Sequence, residues 1–158
     1  MYLFFYSSNS YKFNYYFPKM RFEESKYFSL LPHSKIEFTF GNFYFCENFV
    51  LSELHEGIHF DWDKILEVIG AMLDYYGEGI EIAYISNRVE PYSIEPQLWY
   101  RFHKEFDFIV AIATVAYNDF AYINASIEKQ FANISLKRCD DLDAAFSWIR
   151  HLKEFSQK

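Results

Sequence analysis

At 158 residues the chain is long enough for one domain with a substantial core, and 51% hydrophobic with 23% charged residues excludes a disordered or fibrous chain. A net charge of −7 with no run of Lys and Arg argues against a general nucleic-acid binder, because phosphate attraction needs a basic face. Nothing approaches the roughly 20 consecutive apolar residues that cross a bilayer, so no membrane span is expected.

The first 34 residues stand outside the pattern that follows. Nine of the first 19 are Tyr or Phe, with no acidic residue and no helical or alternating period. A secretory signal needs a basic start, a longer apolar run and a small-residue cleavage site, and Tyr2 to Ser10 supplies none of these. Phe, Tyr, Asn and Lys are what A/T-rich codons encode, and Met20 follows directly. Residues 1–19 therefore read as translated upstream sequence ahead of a true start at Met20, or as an inessential leader; an aromatic arm over an apolar groove is the competing reading. The domain is set at 35–158, with 1–34 as a disordered or mis-assigned extension.

From Ile36 onward the order reads ββαβαβαβα. Ile36 to Phe40 and Phe43 to Glu56 alternate as half-buried strands do, with Gly41-Asn42 as the turn of an antiparallel hairpin. Helical spacing then takes over at Trp62, Ile65, Leu66, Ile69, Met72, Leu73 and Tyr76, behind Asp61 as N-cap and ahead of Gly77 and Gly79 as stops. Ile80 to Ile85 is a short β-branched run that predicts an interior strand, followed by a loop from Ser86 to Ser93. Ser93 with Pro96 suits the start of a second helix, with Leu98, Phe102 and Phe106 as its inner stripe and an end near Glu105.

Phe108 to Ala116 is the longest apolar stretch and predicts the central strand of a sheet covered on both faces. Asn118 would cap a third helix with Phe120, Ile123, Ile127 and Phe131 inward. Ile134 to Lys137 make the last strand, and Asp140 would cap a fourth helix carrying Leu142, Phe146, Ile149 and Leu152. The fold class is α/β: a mixed, mostly parallel sheet with an antiparallel N-terminal hairpin and about four helices.

His55-Glu56-Gly57-Ile58-His59 matches the zinc-protease pattern H-E-x-x-H, in which two histidines on one helical face hold the metal. The local structure speaks against it: alternation runs through Leu54, Gly57 breaks a helix, and on an extended strand the two rings lie roughly 13 Å apart. Trp62 also stands where one large group of such enzymes needs glycine. A zinc hydrolase using His55 and His59 is therefore the remote reading, and no metal is expected.

Nor does a glycine-rich phosphate loop or a nucleophile elbow around Ser86 or Ser93 appear, so no cofactor and no catalytic residue is assigned. Asp140, Asp141 and Asp143 suit capping and the helix dipole. Cys46 and Cys139 have no metal-type spacing and read as reduced, buried thiols of a cytoplasmic protein.

Ligands of open α/β sheets collect beyond the carboxyl ends of parallel strands. Here those ends bring forward Asn87, Arg88, Tyr92, Ser93, Tyr117, Asn118 and Arg138 as binding residues, with Ser86, Asp119 and Lys137 beside them. Arg88 and Arg138 would set positive charge on an acidic body, fit for a carboxylate, a phosphate or an acidic partner helix. Simple helix capping by Ser93 and Asn118, with arginines paired to nearby acids, competes with that reading.

Gly41-Asn42-Phe43-Tyr44-Phe45, Glu56-Gly57-Ile58-His59-Phe60-Asp61 and above all Ile82-Ala83-Tyr84-Ile85-Ser86-Asn87-Arg88-Val89 with Pro91-Tyr92-Ser93 resemble a STAS-like domain, the fold of anti-sigma-factor antagonists. More narrowly, the stretch from Lys35 to Phe155 is similar to small bacterial proteins compared with STAS and CRAL-TRIO lipid-binding domains. The resemblance implies a non-enzymatic module that switches protein partners or binds apolar or nucleotide ligands. It also implies phosphorylation of Ser93, which stands roughly at the family's phosphorylated serine with Ser86 nearby, although Tyr92 replaces the acidic residue that precedes that serine in the family.

The expected function is accordingly regulatory protein binding at the strand-end edge, aided by Trp99, Tyr100 and His103 as outward aromatics of the second helix. The alternative is a carrier or sensor of a small apolar or acidic ligand in a cavity between helix and sheet. A lined pocket near Arg88 would favour the carrier, and a fully packed core would count against it.

Overall fold

The computed structural model describes residues 18–155. Residues 1–17 lie outside that range, and with them nearly all of residues 1–19, the stretch read as upstream sequence. Residues 20–34, counted with the extension in the sequence reading, are seated on the body: a short helix α1 (Lys26–Leu30) follows a turn at Phe22–Glu24, and Phe22 is 0% exposed.

Three antiparallel strands open the sheet: β1 (His33–Phe38), β2 (Gly41–Cys46) and β3 (Phe49–Leu54). A two-residue strand β4 (His59–Phe60) leads into helix α2 (Trp62–Tyr76), which is followed by β5 (Ile82–Arg88) and another two-residue strand, β6 (Ser93–Ile94). Helix α3 (Leu98–Glu105), strand β7 (Ile109–Ala116), helix α4 (Asp119–Glu128), strand β8 (Ser135–Cys139) and helix α5 (Leu142–Arg150) follow, with a short turn at Lys153–Phe155 after α5. The six long strands lie in the order β1-β2-β3-β5-β7-β8, and β3, β5, β7 and β8 run parallel. This is the expected α/β fold with a mostly parallel sheet.

Right-handed crossovers that always step the same way place their helices on one face. The apolar sides of α2 and α3 share one core with Phe43, Phe45, Val50 and Ile112 of the sheet. The opposite core joins α5 and the Phe22 segment to Leu51, Ile85, Ala113 and Val115.

Several local expectations need correction. The hairpin turns at Thr39-Phe40, because Phe38 pairs with Gly41, and Gly41-Asn42 belong to β2. Glycine is required at 41 for another reason: a Cβ there would stand 2.8 Å from both the Glu53 carbonyl oxygen and Leu54 Cα. The single strand expected from Phe43 to Glu56 bends back at the exposed pair Glu47-Asn48 into β2 and β3. Both strands are buried on two faces, so alternation carried no mark of the break. β7 is an interior strand beside the edge strand β8 and is not the central one.

β5 continues through Ser86, Asn87 and Arg88, where a loop was expected, since all three polar side chains find buried partners. Ser93 lies in β6, and α3 starts five residues beyond it behind Gln97, so Ser93 is not a helix cap. Asp61 and Asn118 cap α2 and α4 as expected, each side chain accepting from the backbone N–H three residues on, while Asp141 and not Asp140 caps α5.

Helix α4 is turned the other way round from its expected stripe. Ala121, Ala125 and Glu128 face the protein, whereas Phe120 and Ile123 are 59% and 53% exposed and Ile127 is also outward. Two small residues let the helix lie close to β7 and β8 and bring Glu128 down to the sheet. Ile123→Asn should therefore change stability by no more than about 0.5 kcal/mol. Ala125→Leu should cost about 1–3 kcal/mol by overpacking, and urea unfolding of the two variants reads the contrast.

Candidate functional site

Successive side chains of a strand point to opposite faces, and β5 uses this to build two separate polar centres. Tyr84, Ser86 and Arg88 face the α2–α4 side; Asn87 faces the α5 side.

On the first side a cavity of about 60 Å³ lies between the sheet and helices α2 and α3. Its floor is Phe43, Ile109 and Tyr84, and its helical wall is Ile65, Val68, Ile69 and Met72 of α2. The thinner wall, from Ile94, Leu98 and Trp99, is only half buried. β4 and β6 pair in parallel, joined by Ser93 N–H to the Ile58 carbonyl at 2.9 Å, and this tie holds Phe60 and Ile94 against the cavity.

The polar end is an ion pair. Arg88 Nη2 donates to Glu128 Oε1 at 2.6 Å, and these side chains are 6% and 1% exposed. Trp99 Nε1 donates to the other carboxylate oxygen at 3.0 Å, so Glu128 joins sheet, α3 and α4. Arg88 Nε also donates to Ser86 Oγ at 3.3 Å, Ser86 shares a 2.7 Å hydrogen bond with the Tyr92 hydroxyl, and the guanidinium carbon lies 5.0 Å from the centre of the Tyr92 ring.

Tyr84 bonds Ser52 across the β3–β5 pair at 2.5 Å. Burial pushes both the Tyr84 and the Tyr92 hydroxyl above the ordinary tyrosine range, so both stay protonated at neutral pH.

On the opposite side Asn87 and Tyr117 hold the chain's own N-terminal segment. Asn87 Nδ2 donates to the Met20 carbonyl at 2.9 Å, and the single Tyr117 O–H is shared between Asn87 Oδ1 at 2.8 Å and that carbonyl at 3.1 Å. Glu53 Oε1 accepts from Phe22 N–H and from Asn87 Nδ2, both at 2.7 Å. Burial holds the Glu53 carboxyl above its ordinary value, against the lowering effect of these two donors. Arg21 pairs with Glu90 at 2.7 Å on the outside of this clasp.

The seven expected binding residues are thus not one edge. Arg88 and Tyr92 line the cavity, and Asn87 and Tyr117 form the clasp. Ser93 is exposed and hydrogen-bonded to His59 Nδ1 at 2.8 Å, Asn118 caps α4, and Arg138 donates to Ser126 Oγ at 2.5 Å with its guanidinium over Tyr122. Trp99, expected on the outside, turns inward to Glu128; His103 stacks beside it, and Tyr100 is exposed.

His55 Nδ1 meets the Thr39 carbonyl at 3.2 Å, whereas His59 engages Ser93, so the two rings of the H-E-x-x-H match have separate surroundings. Cys46 and Cys139 are free and buried, and burial pushes their thiols up to about 12 and about 11.

Sequence reasoning missed Glu128, Tyr84, Ser52 and Glu53. One signal for Glu128 was present: it continues the spacing of Ala121 and Ala125 along one helix face, a small-residue stripe that marks close approach to a sheet. Glu53, inside the apolar run of β3, was an equivalent sign of a buried partner.

No family model, curated protein or solved structure matches this chain.

Proposed function

We propose that the protein is a non-enzymatic small-molecule binding domain, a carrier or sensor whose ligand enters the cavity between the sheet and helices α2 and α3. The observation that carries this reading is the apolar cavity closed at one end by Arg88, Glu128, Ser86 and Tyr92. Ligand sites combine mostly apolar walls with a few convergent polar groups, and this space has both. The lipid-binding side of the STAS-like and CRAL-TRIO resemblance agrees with such a role.

Protein binding at the strand-end edge has less support, because Asn87 and Tyr117 are both engaged by the Met20 carbonyl. The inward turn of Trp99 removes a second element of that reading.

Val68 lines the cavity from α2, and phenylalanine at this position would fill it. Native mass spectrometry of protein purified from its own host should show a retained small molecule on the wild type and none on Val68→Phe. An empty wild type that arrives with a stoichiometric protein partner would overturn the proposal in favour of partner binding.

A further inference from the structure

We infer that the cavity selects an uncharged molecule, a few carbon atoms bearing a carbonyl or amide group, with its oxygen seated on the remaining N–H groups of Arg88. The inference rests on the ligand-binding reading above and narrows it to a chemical class.

Charge comes first. Arg88 and Glu128 are the charged side chains lining the cavity among the described residues, and at 2.6 Å they cancel. An acidic ligand, the natural expectation for an arginine seen in sequence alone, would meet a guanidinium already committed to a carboxylate. It would also bring a second anion close to Glu128. An amine would meet the reverse arrangement. Either ion would lose its hydration, which costs several kcal/mol for an ion without a dedicated partner, so a neutral group enters at least cost.

Hydrogen-bond supply selects the group. Both Glu128 oxygens are engaged, one by Arg88 and one by Trp99, and the Tyr84 and Tyr92 hydroxyls are paired with Ser52 and Ser86. Arg88 gives one N–H to Glu128 and one to Ser86, which leaves three of its five for a ligand. The vacant function at this end is therefore a donor, and its complement is an acceptor oxygen without charge.

Volume limits the rest of the molecule. The 60 Å³ is less than half of the roughly 150 Å³ apolar cavity that admits benzene. A short branched chain matches that space and the aliphatic wall of Ile65, Val68, Ile69 and Met72. A longer molecule would have to extend past the half-buried Ile94, Leu98 and Trp99.

Isovaleramide, isovalerate and 3-methylbutylammonium share one branched chain and differ in the charge of the head group. Each is titrated into nitrogen-15-labelled full-length protein while the Trp99 indole N–H resonance is followed, since that N–H touches Glu128 at the polar end. Isovaleramide is expected to saturate at a concentration at least tenfold below either ion, and in Glu128→Gln, which releases the Arg88 charge, isovalerate should overtake the amide.

Equal or tighter binding of isovalerate by the wild type would overturn the inference and leave the cavity-binding reading standing. If none of the three shifts Trp99 or the methyl signals of the cavity wall, the binding reading falls and the selectivity falls with it. The wild-type order decides the question even if Glu128→Gln does not fold.

Discussion

Glu128→Ala is expected to lower the folding free energy by about 3–5 kcal/mol, because it leaves Arg88 charged and buried without its partner. Arg88 is 6% exposed, and its remaining contacts are the neutral Ser86 hydroxyl and the Tyr92 ring. Trp99 Nε1 loses its acceptor in the same substitution, which adds the cost of a buried donor without a bond. Glu128→Gln should cost less, since its amide oxygen can still accept from one of the two donors. Arg88→Met combined with Glu128→Leu should recover most of the loss, because a buried ion pair replaced by apolar residues of similar size is often close to neutral. Urea midpoints at constant slope measure all three. A loss below about 1 kcal/mol for Glu128→Ala would mean that water reaches Arg88 and screens it.

That same pair explains where sequence reading stopped. The alternation of strands and helices was legible because periodicity changes sharply at Asp61, Asn118 and Asp141, and capping side chains reinforce two of those boundaries where they were expected. The orientation of α4 was not legible, since its large apolar residues point outward and its buried face is made of Ala121, Ala125 and Glu128. Hydrophobicity marks a buried face only when packing distance allows large side chains; a helix lying close to a sheet favours alanine and can bury a carboxylate that has partners. The end of β5 was obscured for a related reason. Ser86, Asn87 and Arg88 look like a loop, yet each finds polar partners inside the fold, and polarity signals a loop only for groups that water must satisfy.

Adjacent residues of one strand consequently serve opposite faces. Arg88 closes the cavity while Asn87 clasps Met20, so the candidate ligand site and the seat of the N-terminal segment share a rigid backbone. The sequence reading assigned both residues to one edge because a loop was assumed there; a strand separates them by geometry alone.

The clasp itself should be a large contributor to stability. Phe22→Ala is expected to cost about 3–5 kcal/mol, the range for truncating a fully buried Phe. Its ring is 0% exposed and lies 4.7 Å from Tyr44 and 5.2 Å from His33, centroid to centroid, with Phe28 and Phe146 on other sides. Below it, Glu53 adds a pH signature of definite sign. Burial raises its carboxyl from the ordinary 4.5, with Glu23 adding to the rise and Arg21, Phe22 N–H and Asn87 opposing it. The native state then holds the Glu53 proton to higher pH than the unfolded chain, so this group's contribution is fully present below about 4.5 and is lost as pH rises through the folded value. Carboxylates such as Asp61 and Asp143, lowered first of all by side-chain hydrogen bonds from Lys64 and Tyr27 respectively, act in the opposite sense. The diagnostic is therefore the difference in slope between wild type and Glu53→Gln. Wild-type stability should fall relative to the variant as pH rises above 4.5. A parallel pair of curves, together with a loss below about 1 kcal/mol for Phe22→Ala, would show that residues 20–22 rest on the body without being anchored by it.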